Sequence, residues 1–77
     1  MVFETIQDII HTQFEVDADK ITPYTRFVED LDADSLDVVE LAMSIEEEFS
    51  IPEISEEDIR EIHTVGDLVD YVIRAQK

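Results

Sequence analysis

Asp34-Ser35-Leu36-Asp37-Val38-Val39-Glu40-Leu41-Ala42-Met43-Ser44-Ile45-Glu46-Glu47-Glu48-Phe49 is the stretch whose reading decides the fold. Val38, Leu41, Ala42, Ile45 and Phe49 recur at i, i+3, i+4, i+7 and i+11, the spacing of a helix with one buried face. The spacing predicts a helix from about Ser35 to Phe49, ended by Ser50 and Pro52. Its other side carries Leu36, Asp37, Glu40, Met43 and Glu47. Asp34 and Ser35 are equally good N-caps. If Asp34 takes that role, the Ser35 hydroxyl is left free at the first helical position. A helix start offers unpaired N–H groups and a partial positive charge, which suit a phosphate ester there, while the neighbouring acids repel it.

Working outward, Val2, Phe3, Ile6, Ile9, Ile10 and Phe14 recur at helical spacing and predict a first helix from about Val2 to Glu15. From Val16 to Asp34 the period is lost. Pro23 forbids a helix interior, Ile21-Thr22-Pro23 reads as extended, and Asp17, Asp19 and Thr25 favour turns. So long a connection normally marks function, and Phe27, Val28 and Leu31 are expected to pin it to the core. Ser55-Glu56-Glu57-Asp58 opens like a capping box and starts a short third helix to about Glu61, burying Ile59. Thr64 with Asp67 starts a fourth, with Val65, Leu68, Val69, Val72 and Ile73 on its buried stripe. The expectation is an all-α bundle of three main helices and one short one, with a long ordered loop between the first two. The 77 residues are read as one domain.

Acids outnumber bases 21 to 5, for a formal charge of -16. Between Phe27 and Ile59 there is no Lys or Arg among thirteen acids. Such a field repels nucleic acid and anionic membranes and speeds encounter with basic protein surfaces. The absence of cysteine excludes disulfide and thiolate chemistry by the chain itself. Met1 to Ile10 is interrupted by Glu4, Gln7 and Asp8, so neither a signal peptide nor a membrane span is read there, and the expected location is cytoplasmic.

Catalysis by Ser35 is disfavoured. The flanking Ala33 and Asp37 break the G-x-S-x-G pattern, and the two histidines, His11 and His63, read as surface or helix-end residues. Asp30, Asp32 and Asp34 begin like a calcium loop, but Ser35 stands where glycine is needed and Leu41 where a bidentate glutamate is needed. No dedicated metal site is expected. Leu36 and Met43 among Asp37, Glu40 and Glu47 read as a docking face, in which the apolar side chains give contact and the acids steer basic partners. The competing reading of that acidic stripe is a solvated helix face.

The run Phe27-Val28-Glu29-Asp30-Leu31-Asp32-Ala33-Asp34-Ser35-Leu36-Asp37, followed by Val39-Glu40-Leu41 and Ile45-Glu46-Glu47-Glu48-Phe49, resembles the bacterial acyl carrier proteins of dissociated fatty acid synthesis. The likeness extends over essentially the whole chain. It implies a non-enzymatic monomer whose Ser35 carries 4′-phosphopantetheine, taken from coenzyme A by a separate phosphopantetheinyl transferase. The arm's thiol would hold acyl chains as thioesters. The implied docking residues are Asp34, Leu36, Asp37, Glu40, Met43, Glu46 and Glu47. Their partners would be the acyl-transfer, condensing, reducing and dehydrating enzymes of the pathway, through basic patches. The resemblance also implies an acyl chain sheltered among the helices, for which Val39, Ala42, Ile45, Ile59, Ile62, Leu68 and Tyr71 are the expected walls.

One position departs from the family, which usually has Leu-Gly-Ala where this chain has Leu31-Asp32-Ala33. A positive φ at Asp32 would strain the backbone there. The departure leaves a specialised carrier for a polyketide or another acyl pathway as the alternative to fatty acid synthesis. An acidic protein-interaction module is the reading from another class.

Overall fold

The computed structural model describes residues 2–76. Helix α1 spans Val2–Phe14, α2 Ser35–Phe49, α3 Glu56–Glu61 and α4 Val65–Ala75. A single 3-10 turn, Ala18–Lys20, interrupts the connection between α1 and α2. Among the described residues there is no named strand, only an isolated bridge between Arg26 and Thr64. The molecule measures 29 × 25 × 19 Å.

Three helices supply the core: Ile6 and Ile10 from α1, Leu41, Ala42 and Ile45 from α2, and Val65, Leu68 and Val72 from α4. Helix α3 contributes no buried residue, and Ile59, expected to be buried there, is only partly so. On α4 the expected inner stripe holds at Val65, Leu68 and Val72, but Ile73 is exposed and Val69 partly buried. Ile73 follows Val72 by one residue, about 100° further round the helix, so it leaves a face that Val72 fills. Helix α1 ends at Phe14, one residue before the expected Glu15, because Glu15 turns left-handed at φ 56°.

The connection to α2 is ordered by bonds to the rest of the fold. Gln7 Nε2 donates to the carbonyls of Ala18 at 2.7 Å and Ile21 at 3.0 Å. The N–H groups of Val65 and Gly66, at the start of α4, donate to the carbonyls of Thr25 and Pro23 at 2.9 and 2.8 Å. Gly66 is required there, since a Cβ would lie 2.9 Å from the Pro23 carbonyl oxygen. Phe27 N–H donates to the His63 carbonyl at 3.0 Å, and Ala33 N–H to the Phe27 carbonyl at 3.0 Å.

Ile21, Thr25, Phe27 and Ala33 carry the burial of this segment, with Leu31 packed partly against them. Val28, expected as a third anchor, is instead 61 % exposed. The tight turn that follows explains it: Asp30 and Leu31 N–H both donate to the Arg26 carbonyl, which points Phe27 inward and its neighbour outward.

Candidate functional site: a serine at the start of a helix

Asp34, not Ser35, caps α2. Its Oδ1 accepts from Asp37 N–H at 2.9 Å, and Asp37 Oδ2 accepts from Asp34 N–H at 3.2 Å, a closed capping box. Ser35 therefore stands at the first helical position, exposed, and its hydroxyl has no hydrogen-bond partner among the described residues. By helix geometry the N–H groups of Ser35 and Leu36 have no partner within the helix either. From the other side, Gln13 Nε2 of α1 donates to the Asp37 carbonyl at 2.9 Å and fixes the first turn. Asp32 takes φ 56°, so the chain enters the site through a left-handed aspartate.

The four serines of the chain have distinct surroundings. Ser44 is half-buried within α2. Ser50 follows the C-terminal end of α2 in a left-handed conformation, where the helix presents partial negative charge. Ser55 Oγ accepts from Asp58 N–H at 3.2 Å as the cap of α3. Only Ser35 joins an exposed, uncommitted hydroxyl to a helix start. A phosphodiester-linked group fits that position.

The expected outer face of α2 is largely present. Leu36 and Met43 are 66 % and 57 % exposed, and Asp34, Glu40 and Glu47 are exposed with them. Asp37 is half-buried and serves the cap. Glu46 is half-buried, and its Oε2 accepts from Ile54 N–H at 2.9 Å. That carboxylate ties down the connection to α3. The α3 box closes only halfway: Ser55 accepts from Asp58 N–H without a returned bond. The Asp58 carboxylate instead faces Tyr71, whose phenol is pushed above its ordinary value first by burial and then by that charge.

Two spaces adjoin each other here, and Ser35 lines the outer one. An inner cavity of about 20 Å³ sits among Phe27, Val38, Leu41, Ala42, Ile54, Ile59, Ile62 and Leu68. That is room for about one water molecule. An open groove of about 510 Å³ runs from Ser35 between residues 27–29, α2 and α3. Phe27, Val38, Ile59 and Ile62 line both, so they form the partition.

Of the expected chain walls, Ala42, Ile59, Ile62 and Leu68 line the inner cavity. Val39 lines only the outer groove, Ile45 is packed in the core, and Tyr71 faces a different groove beside Asp58 and Arg74. Phe27, Val38, Leu41 and Ile54 were not expected as walls. Val38 was legible as the inward neighbour of Val39, whereas Phe27 and Ile54 come from connections that carry no period.

The acids at 30, 32 and 34 do not converge. Arg26 engages both oxygens of Asp30 at 3.1 and 3.2 Å, and this hydrogen bonding holds the carboxyl below the usual carboxylate range. Asp34 is occupied by the cap. Among the described residues no group of three or more His, Asp and Glu side chains is placed to hold a metal ion. His11 Nδ1 lies 2.7 Å from the Val16 carbonyl oxygen. His63, read from sequence as an ordinary helix-end residue, lines the same groove as Ser35.

Residues 4–72 match the family described as phosphopantetheine attachment site. The chain is 51 % identical over 70 residues to the acyl carrier protein of Helicobacter hepaticus, a match covering 91 % of each. A solved structure of the acyl carrier protein from Enterococcus faecalis superposes with a TM-score of 0.81 at 39 % identity, covering 96 % of this chain and 92 % of that one. The chain belongs to the acyl carrier proteins. It carries acyl intermediates through phosphopantetheine on a serine in fatty acid biosynthesis, and it is a carrier rather than an enzyme. Its partners include a phosphopantetheinyl transferase and the enzymes of that synthesis. Among the described residues no helix is long and apolar enough to cross a membrane.

Proposed function

We propose that Ser35 is the attachment residue, that the exposed side of α2 is the docking face, and that the groove and inner cavity together receive the acyl chain. The observation that carries the reading is the division of labour at the start of α2. Asp34 and Asp37 satisfy the cap between themselves, which leaves the Ser35 hydroxyl exposed and uncommitted. The arm supplies the terminal thiol that forms the thioester, so a chain without cysteine suffices. The protein's own part is to present one hydroxyl on a helix start held by its cap and by Gln13.

Docking follows from charge and contact. Asp34, Glu40 and Glu47 draw basic surfaces toward α2, and Leu36 and Met43 give apolar contact once they arrive. Asp37 joins them through whatever part of its carboxylate the cap leaves exposed. Glu46 is counted with this face only through its charge, because its carboxylate is bound to Ile54 N–H. The cavity is too small as it stands to hold more than a fragment of an acyl chain. Occupation therefore requires Val38, Ile59 or Ile62 to move, and Ala42 and Leu68 lie behind them.

The test is intact mass before and after incubation with coenzyme A, magnesium and a broad-specificity phosphopantetheinyl transferase, with peptide mapping of the product. One added phosphopantetheine, located at Ser35 and lost in Ser35→Ala, is the expected result. Addition at Ser44, Ser50 or Ser55 would overturn the assignment.

A further inference from the structure

Arg60 is a cation without an ion pair or side-chain hydrogen bond among the described residues, in a chain of formal charge -16. Glu56 stands four residues before it on α3, yet no ion pair joins them. Arg60 lines the groove that begins at Ser35, and so does His63. Val28 and Val39, 61 % and 45 % exposed, line it as well. An unpaired cation and two bare valines thus share one groove with the modifiable serine, and nothing in the core or in the docking face uses them.

We propose that Arg60 and His63 hold the phosphodiester at Ser35 and lay the arm along this groove, over Val28 and Val39. The inference rests on Ser35 as the attachment residue. Three carboxylates, Glu29, Asp34 and Glu56, line the same groove, and Asp37 stands in the first turn of α2. In that acidic surround the donors left to a phosphate on Ser35 are the unpaired N–H groups of the helix start and the Arg60 guanidinium, which offers it a planar fork. The His63 ring adds an N–H donor from the start of the segment leading to α4. The acids on the outer side of α2 work in the same direction, repelling the phosphate from the docking face. Arg60 and His63 act here as positioning residues, since the bond itself is made at Ser35 Oγ. The consequence is a resting arm folded over the groove, with Val28 and Val39 covered by its geminal methyls.

The test compares apo and holo forms of the isotopically labelled chain by NMR, after intact mass and mapping have confirmed the arm on Ser35. Expected in the holo form are nuclear Overhauser contacts between the arm's geminal methyl protons and the methyls of Val28 and Val39. These contacts disappear in Arg60→Gln/His63→Gln and survive in Arg60→Lys and in the distant control Lys20→Gln. All three side chains changed are exposed, and apo melting temperatures check that the fold is kept. Should the double variant unfold, Arg60→Gln alone carries the comparison, with the contacts expected to weaken. Absence of the contacts in wild-type holo protein, or their persistence without Arg60 and His63, overturns the proposal while leaving Ser35 in place. Failure of the arm to add at Ser35 removes both readings at the mass step.

Discussion

Residues 15–34, which lead into α2, and α3, which follows it, form two walls of one groove, but they are attached to the molecule differently. The first is bound to α1 through Gln7, to the start of α4 through the N–H groups of Val65 and Gly66, and to the core through Ile21, Phe27 and Ala33. Helix α3 has six residues, none of them buried, and rests on the half-buried Ile59 and Ile62. A segment with few buried contacts opens at low cost, whereas one tied into the core opens only with the whole fold. The serine is therefore fixed by the rigid wall, and the cavity widens at lowest cost from the other. A carrier needs both properties: a constant place of presentation and a shelter whose size can change.

The largest test of that contrast is a pair of truncations across the partition. Phe27→Ala removes a side chain that is 3 % exposed and is expected to cost about 3–5 kcal/mol. That is a large part of the roughly 5–15 kcal/mol that holds a small domain together. Ile59→Ala removes a partly buried side chain from α3 and is expected to cost less than about 2 kcal/mol. Urea unfolding of both variants decides the matter. Equal losses would mean that α3 is as firmly part of the core as the long connection, and the asymmetry would be withdrawn.

A smaller effect sharpens the rigid side. Asp32 at φ 56° holds a conformation that costs most L-residues and costs glycine nothing. Asp32→Gly is expected to raise stability by about 0.5 kcal/mol, a rise of about 2–4 °C in melting temperature for a chain this size. Asp32→Asn separates the causes, because it removes the charge while keeping the side-chain shape. If Asn reproduces the full gain, repulsion among the acids was the source and the backbone strain is not. If neither variant gains, the rigid wall tolerates its left-handed residue without penalty.

What could be read from the sequence divides along the same line as the structure. The start and end of α2 were legible to the residue, because Asp34, the apolar period and Pro52 all bear on the same boundaries. The opening of α4 was equally legible from Thr64 and Asp67, whose reciprocal capping bonds are present. Within the connection no period exists, so Val28 could not be told from Phe27, and the burial of Thr25 and Ala33 had no signal. The walls of the apolar space failed for a related reason. The period of α2 separates Val38 from Val39, which lie about 100° apart, but Phe27 and Ile54 stand in connections whose own sequences do not state where they pack. Arg60 and His63 were visible as bases, but their place in one groove with Ser35 follows from tertiary packing alone.

The last comparison sets two acids held low by hydrogen bonds, Asp67 and Asp30, against the other nineteen. Asp67 accepts from the N–H groups of His63 and Thr64 at 3.0 and 3.2 Å, and these bonds, that from His63 foremost, hold its carboxyl below the usual range. A carboxylate with a lowered folded pKa contributes stability that is complete above its unfolded value, near 4, and is lost as the pH falls through the folded one. Self-repulsion among the remaining acids has the opposite sign, because protonating them relieves it. Stability is therefore expected to hold or rise as the pH falls from 7 toward 5, and then to drop below about 4 as the cap of α4 is protonated. Asp67→Asn isolates the second limb. It should lower stability at pH 7 and make the decline below pH 4 shallower, read as urea midpoints across the series. The Arg26–Asp30 pair, wholly at the surface, adds to the acid limb in the same direction, since its hydrogen bonds likewise hold Asp30 low. An acid limb equally steep in Asp67→Asn would transfer the loss to that pair, and with it the acid sensitivity from the opening of α4 to the turn that carries Phe27.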